Sequence, residues 1–172
     1  MGQFTHHVGP RGPRFACTFN AQNFSAAQDL FEIVAPSNSE VRIREIKLGQ
    51  YTDFGDAKSD LVSILVMTGH TSAGSGGTAI TPAKLGRRTG SSVVAASTVK
   101  RNNTTQASGG TLTLLADVWN IMAGFLYAPS EEDEMIYIKA GERCVISNTA
   151  LTDSLNVNAT VIIEEVGRGT PA

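Results

Sequence analysis

Three histidines, two cysteines and a few groups of carboxylates are the side chains from which this chain could build chemistry. Nucleophilic catalysis needs a Ser or Cys whose proton a His can take, with a third group orienting the ring. His6 and His7 lie near the N-terminus among Gly and Pro, and His70 lies in a Gly/Ser-rich loop. No G-x-S-x-G elbow accompanies them. Adjacent histidines diverge on a strand and fit neither a helical H-x-x-x-H site nor a zinc knuckle. Asp53, Asp56 and Asp60 in YTDFGDAKSD offer oxygens to a hard cation such as Ca²⁺, but their spacing departs from the EF-hand loop. Aspartates also occupy turns for backbone reasons.

Glu131, Glu132, Asp133 and Glu134 could supply a carboxylate pair for glycoside hydrolysis. Four consecutive acids read more simply as a solvated turn. The glycines of SAGSGG match no phosphate-cradling pattern. Trp119, Phe125, Leu126 and Tyr127 could stack on a sugar, yet their β-prone context assigns them to the core. Cys17 and Cys144 are read as buried free thiols. The expectation is a protein that is not an enzyme and that uses no cofactor and no metal.

The elements that would position any site are strands. The chain has 172 residues, enough for one domain with a real core. Hydrophobic residues make up 41% and charged residues 17%, below the roughly 25% of an ordinary domain. Small residues take their place, with 17 Gly, 17 Thr, 14 Ser and 19 Ala. Residues 1–14 read as an extended arm punctuated by Gly-Pro and Pro-Arg, and residues 15–172 as one domain.

Short β-prone runs then alternate with turn clusters. AAQDLFEIVAP is ambiguous between helix and strand, and Pro36 cuts it short. In EVRIREIKLG, Val41 and Ile43 share one face and Ile46 and Leu48 the other, which requires a bulge near Glu45 or burial on both sides. LVSILVMT has central-strand character, and SVVAASTV and TLTLLAD flank the turn-rich RNNTTQASGG. Leu155, Val157, Ala159, Val161 and Ile163 alternate cleanly. Eight to ten strands with turns at intervals of about 8 to 12 residues predict an all-β antiparallel sandwich, jelly-roll-like, with long Gly/Ser/Thr loops.

Charge is uneven although the net is only −2. Residues 61–116 hold no acid but carry Lys84, Arg87, Arg88, Lys100 and Arg101, whereas residues 102–172 hold nine acids against three bases. Such asymmetry suits pairing between copies. The basic cluster lacks the interleaved aromatics of single-strand binders, so nucleic acid is not the expected partner. No stretch reaches the roughly 18 apolar residues of a membrane span, and no secretory leader is legible at the start, so the expected place of synthesis is the cytosol.

The order of AAQDLFEIVAP, VRIREIKLGQYTDFGDAKSD, TSAGSGGT, RNNTTQASGG, AGFLYAPSEEDEMIYIKAGERCVI and DSLNVNATVIIEE resembles small virion proteins encoded by tailed bacteriophages. The resemblance covers about residues 26 to 166 and includes no catalytic motif. It implies a capsid decoration or head-stabilising protein, a homotrimer bound to the major capsid protein and assembled in the host cytoplasm. A fibre, tail or filament subunit, or a carbohydrate-binding attachment module, are the alternatives. The expected contact residues are Phe4, His6, His7, Arg11 and Arg14 of the arm with Arg87, Arg88, Lys100 and Arg101 of the basic segment.

Overall fold

A computed structural model describes residues 12–51, 61–86, 93–110, 112–149 and 154–167, with Leu61 and Val62 as backbone only. The described strands are β1 (Arg14–Phe24), β2 (Gln28–Val34), β3 (Glu40–Gln50), β4 (Leu61–Thr68), β5 (Thr78–Ile80), β6 (Ala83–Lys84), β7 (Thr98–Asn103), β8 (Leu112–Asn120), β9 (Phe125–Tyr127), β10 (Ile136–Ile138), β11 (Arg143–Asn148) and β12 (Leu155–Val166). Sheet A runs β10-β3-β12-β1-β6, with β9 also on β3, and sheet B runs β5-β7-β2-β11-β4-β8. All the pairings are antiparallel.

The pairings nest. β1 pairs with β12, β2 with β11, β3 with β10 and β9, and β4 with β8. The first half of the chain is thus matched in reverse order by the second, a long hairpin rolled over on itself. That is the jelly roll. β5, β6 and β7 form the excursion between β4 and β8 and extend the two sheets on one side.

The core follows from the alternation. Leu155, Val157, Ala159, Val161 and Ile163 all face inward, against Phe15, Cys17 and Phe19 of β1 and Phe31, Ile33 and Ile146 of sheet B. On β3 the change of parity is resolved by a bulge. Glu45 pairs with Ile162 and Ile43 with Ile163, so Arg44 is the extra residue and both apolar pairs reach the same core.

Three segments differ from their sequence reading. AAQDLFEIVAP is a strand, because neighbours β11 and β7 on either side take up its backbone groups. SVVAASTV is largely not one. The amides of Ala96 and Ser97 donate to the Glu165 carboxylate at 2.7 Å instead of to a ladder, and β7 starts only at Thr98. β7 then runs on into Asn103, through the beginning of the predicted turn. The described strands number twelve rather than eight to ten, since short β5, β6 and β9 carried too few residues to show periodicity.

Candidate functional site

Of the expected contact residues, Phe4, His6, His7, Arg11, Arg87 and Arg88 lie outside the described residues, as do Asp53, Asp56 and Asp60. The structure does bring together the backbone on either side of them. Arg14 opens β1 and its carbonyl accepts from the Leu85 amide at 2.8 Å, while Phe15 pairs with Lys84. Two consecutive, fully buried carboxylates of β12 hold both passages. Glu164 Oε1 accepts from the Gly12 amide at 2.9 Å and its other oxygen lies 3.2 Å from Arg44. Glu165 Oε1 accepts from Ala96, Ser97 and the Ser97 hydroxyl. The described residues nearest the two segments, Gly12, Leu85, Ala96 and Ser97, are therefore held by β1 and β12.

Lys100 and Arg101 lie on β7 of sheet B. Lys100 is exposed beside Ala79 and Glu32, and Arg101 lines an open cleft of about 430 Å³ with Thr18, Phe19, Asn20, Ala79 and Ile80.

The opposite edge of sheet A is acidic. Glu131, Asp133 and Glu134 are exposed around a short 3-10 turn before β10, and Glu132 pairs with Arg42. A set of exposed apolar side chains, of which only Leu126 entered the sequence reading by name, lies on β8, β9 and the turn between them. Leu112, Leu114 and Val118 of edge strand β8, Met122 of the following turn and Leu126 of β9 are all exposed. The available signal was TLTLLAD, whose apolar residues are too many for a half-buried edge. An uncovered apolar edge strand invites a partner.

The outer face of sheet B is closed by the Gly-rich segments. After β4, residues 69–77 cross it to reach β5, and after β7 residues 104–110 cross back to β8. The two passages form a ribbon bridged at Ser72–Ser108 and Ser75–Thr105. Beneath it Asp29 and Glu32 are buried. Asp29 accepts from the Ser147 hydroxyl at 2.6 Å and the Ala107 amide at 2.8 Å. Glu32 accepts from Arg143 Nε at 2.5 Å and Asn103 Nδ2 at 2.6 Å. Gly74 is obligatory here, because a Cβ would overlap the Asn103 amide and come within 2.9 Å of Asp29.

The side chains considered for catalysis are placed as follows. His70, at the start of the ribbon, has its side chain buried rather than in an open loop, and neither ring nitrogen has a hydrogen-bond partner among the described residues. Burial lowers its pKa from 6.5, opposed by Asp29, with Arg143 lowering it further and Glu32 raising it. Cys17 and Cys144 are free and buried, with thiols pushed up to about 12 by desolvation, which leaves no thiolate for nucleophilic attack at neutral pH. Trp119 is core, Phe125 and Tyr127 pack against it, and only Leu126 of that group is exposed. Among the described residues no three His, Cys, Asp or Glu side chains could hold a metal ion. None of the helices there is long and apolar enough to cross a membrane.

The described residues form a jelly-roll sandwich whose sheet A carries Arg14 and Lys84 at one edge and Glu131, Asp133 and Glu134 at the other, with the outer face of sheet B covered by a ribbon. No family model, curated protein or solved structure matches the chain.

Proposed function

We propose that the protein is a non-enzymatic structural subunit of a virus particle. In this reading it is a decoration or head-stabilising protein that packs head to tail with copies of itself as a trimer and binds the major capsid protein of the assembled shell. The observation that supports it is the opposition of charge across sheet A. Arg14 and Lys84 stand at the β1–β6 edge, and Glu131, Asp133 and Glu134 stand at the β10 edge. Opposed edges of one sheet suit a heterologous contact, which closes into a ring when the rotation between copies permits. The exposed apolar side chains Leu112, Leu114, Val118, Met122 and Leu126 supply further surface from which a contact could exclude water. Charge complementarity then sets the register of the copies.

The test is the copy number of this chain in purified particles, by quantitative mass spectrometry. A number equal to that of the major shell subunit, or a simple fraction of it, is expected. A far smaller number points instead to a vertex or fibre, and absence from particles overturns the virion reading.

A further inference from the structure

We infer that the outer face of sheet A carries a binding groove for a single neutral pyranose residue of a glycan. This inference concerns a different partner from the assembly reading, and Lys47 of the groove borders Leu126 across β3 and β9.

The groove originates in a fault in β1. Phe19 pairs with Ala159 and Gln22 with Val157, so Asn20 and Ala21 together oppose one residue, Asn158. Ala21 takes up the slack at φ 49°, a conformation uncommon for any residue but glycine. Such bulges and outliers recur at ligand sites. The displaced Ala21 amide donates to Asn158 Oδ1 at 2.7 Å. That bond fixes which end of the Asn158 amide is which and turns its NH₂ away as a donor.

The fault opens a groove of about 300 Å³ across β1, β12 and β3, lined by Asn20, Lys47, Gly49, Asn158 and Thr160. Phe19, Leu48 and Ala159 contribute only backbone, because their side chains are buried in the core, so the groove faces outward. Its floor is open above Gly49, where an added Cβ would meet nothing within 4 Å.

The chemistry of the walls selects the ligand. Asn20 and Asn158 supply amides, Thr160 a hydroxyl, and Lys47 an ammonium 2.6 Å from the Glu45 carboxylate. Paired in this way, the rim is neutral overall and offers a donor next to an acceptor, which matches vicinal hydroxyls rather than an anion. Tyr51 continues the β3 alternation beyond Lys47 and Gly49, its amide bonded to the Asn156 carbonyl at 2.8 Å, and its ring is 51% exposed. An exposed aromatic residue two positions beyond Gly49 is near enough along the chain to offer a surface for the C–H face of a sugar ring. The volume is at the small end of ligand sites, which limits the occupant to one ring.

The experiment titrates the full chain with the methyl glycosides of glucose, galactose, mannose and N-acetylglucosamine, read by saturation-transfer NMR and backbone amide shifts. Saturation transfer to at least one glycoside is expected, with amide shifts confined to residues 19–21, 47–51 and 156–160. Gly49→Val places a branched side chain in the floor and should abolish the signal at an unchanged Tm. Tyr51→Ala should weaken binding several-fold, and Asn20→Ala, an exposed change, serves as a second probe of the wall should Gly49→Val fail to fold. No transfer from any of the four glycosides at millimolar concentration overturns the inference. Binding that survives both wall and floor variants unchanged does so as well.

Discussion

The two outer faces of the sandwich carry similar residues and have opposite fates. On sheet B, Asp29, Glu32, Asn103 and Ser147 alternate with core residues and are buried beneath the ribbon of residues 69–77 and 104–110. On sheet A, Glu45, Lys47, Asn156, Asn158 and Thr160 alternate with core residues and remain accessible. In both cases a strand presents polar groups on its outward side. What decides their role is whether another segment crosses over them. Under the ribbon each carboxylate must be matched by donors, because an unpartnered buried charge costs several kcal/mol, roughly, after relaxation. In the open, water supplies the partners.

The sharpest test of that contrast breaks one ion pair on each face. Glu32→Ala removes the acceptor of both Arg143 and Asn103. It should cost about 3–5 kcal/mol by denaturant unfolding, since it strands a guanidinium beneath the ribbon. Glu45→Ala removes the partner of Lys47, a side chain 58% exposed, and should cost about 0–1 kcal/mol. Equal losses would mean that the ribbon does not exclude water.

A second contrast uses glycine. Gly74→Ala forces the Asn103 amide and the ribbon apart and should cost about 1–3 kcal/mol, with faster amide exchange over residues 104–110. Gly49→Ala on the open face should be near neutral in the same measurement, because its Cβ meets nothing.

The proposed assembly through charge allows a third test, on the basic segment. If copies pair through charge as proposed, Arg87→Glu combined with Arg88→Glu should shift the mass toward that of a monomer at low salt, read by light scattering. The difference from the parent should shrink toward 1 M salt, where screening reaches about 3 Å. An unchanged mass at low salt removes charge from the assembly.

The smallest effect concerns acid. The pKa of His70 in the fold lies below its ordinary 6.5, so the unfolded chain takes up the proton first as the pH falls. This contribution to stability is complete above about pH 6.5 and declines below it. The Tm should therefore fall on mild acidification, and His70→Gln should flatten that slope. A slope unchanged in the variant assigns the acid sensitivity elsewhere.

Much of the fold was legible in the residues. The nine-position alternation ending at Ile163, the β3 parity change and the Gly/Ser-rich excursion each have a local cause, and each appears in the structure where the pattern put it. The strand β7 and the fate of QDLFEIV were less legible, because TVKRNN has no apolar period and AAQDLFEIVAP fits two periods at once. β7 lies between β5 and the distant β2, and QDLFEIV between β7 and β11, which is more than a hundred residues further along the chain. The exposed apolar residues of β8 were legible only as an excess of apolar residues in TLTLLAD, and the groove at Ala21 was not legible. The first depends on β8 lying at an edge, and the second on a register slip between strands about 137 residues apart.

The sequence by itself determined that this chain is a sandwich of strands, since period-two burial is a property of the residues in order. It also determined that the basic and acidic residues fall in separate segments. Only the tertiary structure decided which polar rows are sealed and which are open, which strand is an edge, and that opposite charges stand on opposite edges of one sheet. Those are relations between segments distant in the chain, and no local pattern encodes a contact whose partner lies more than a hundred residues away.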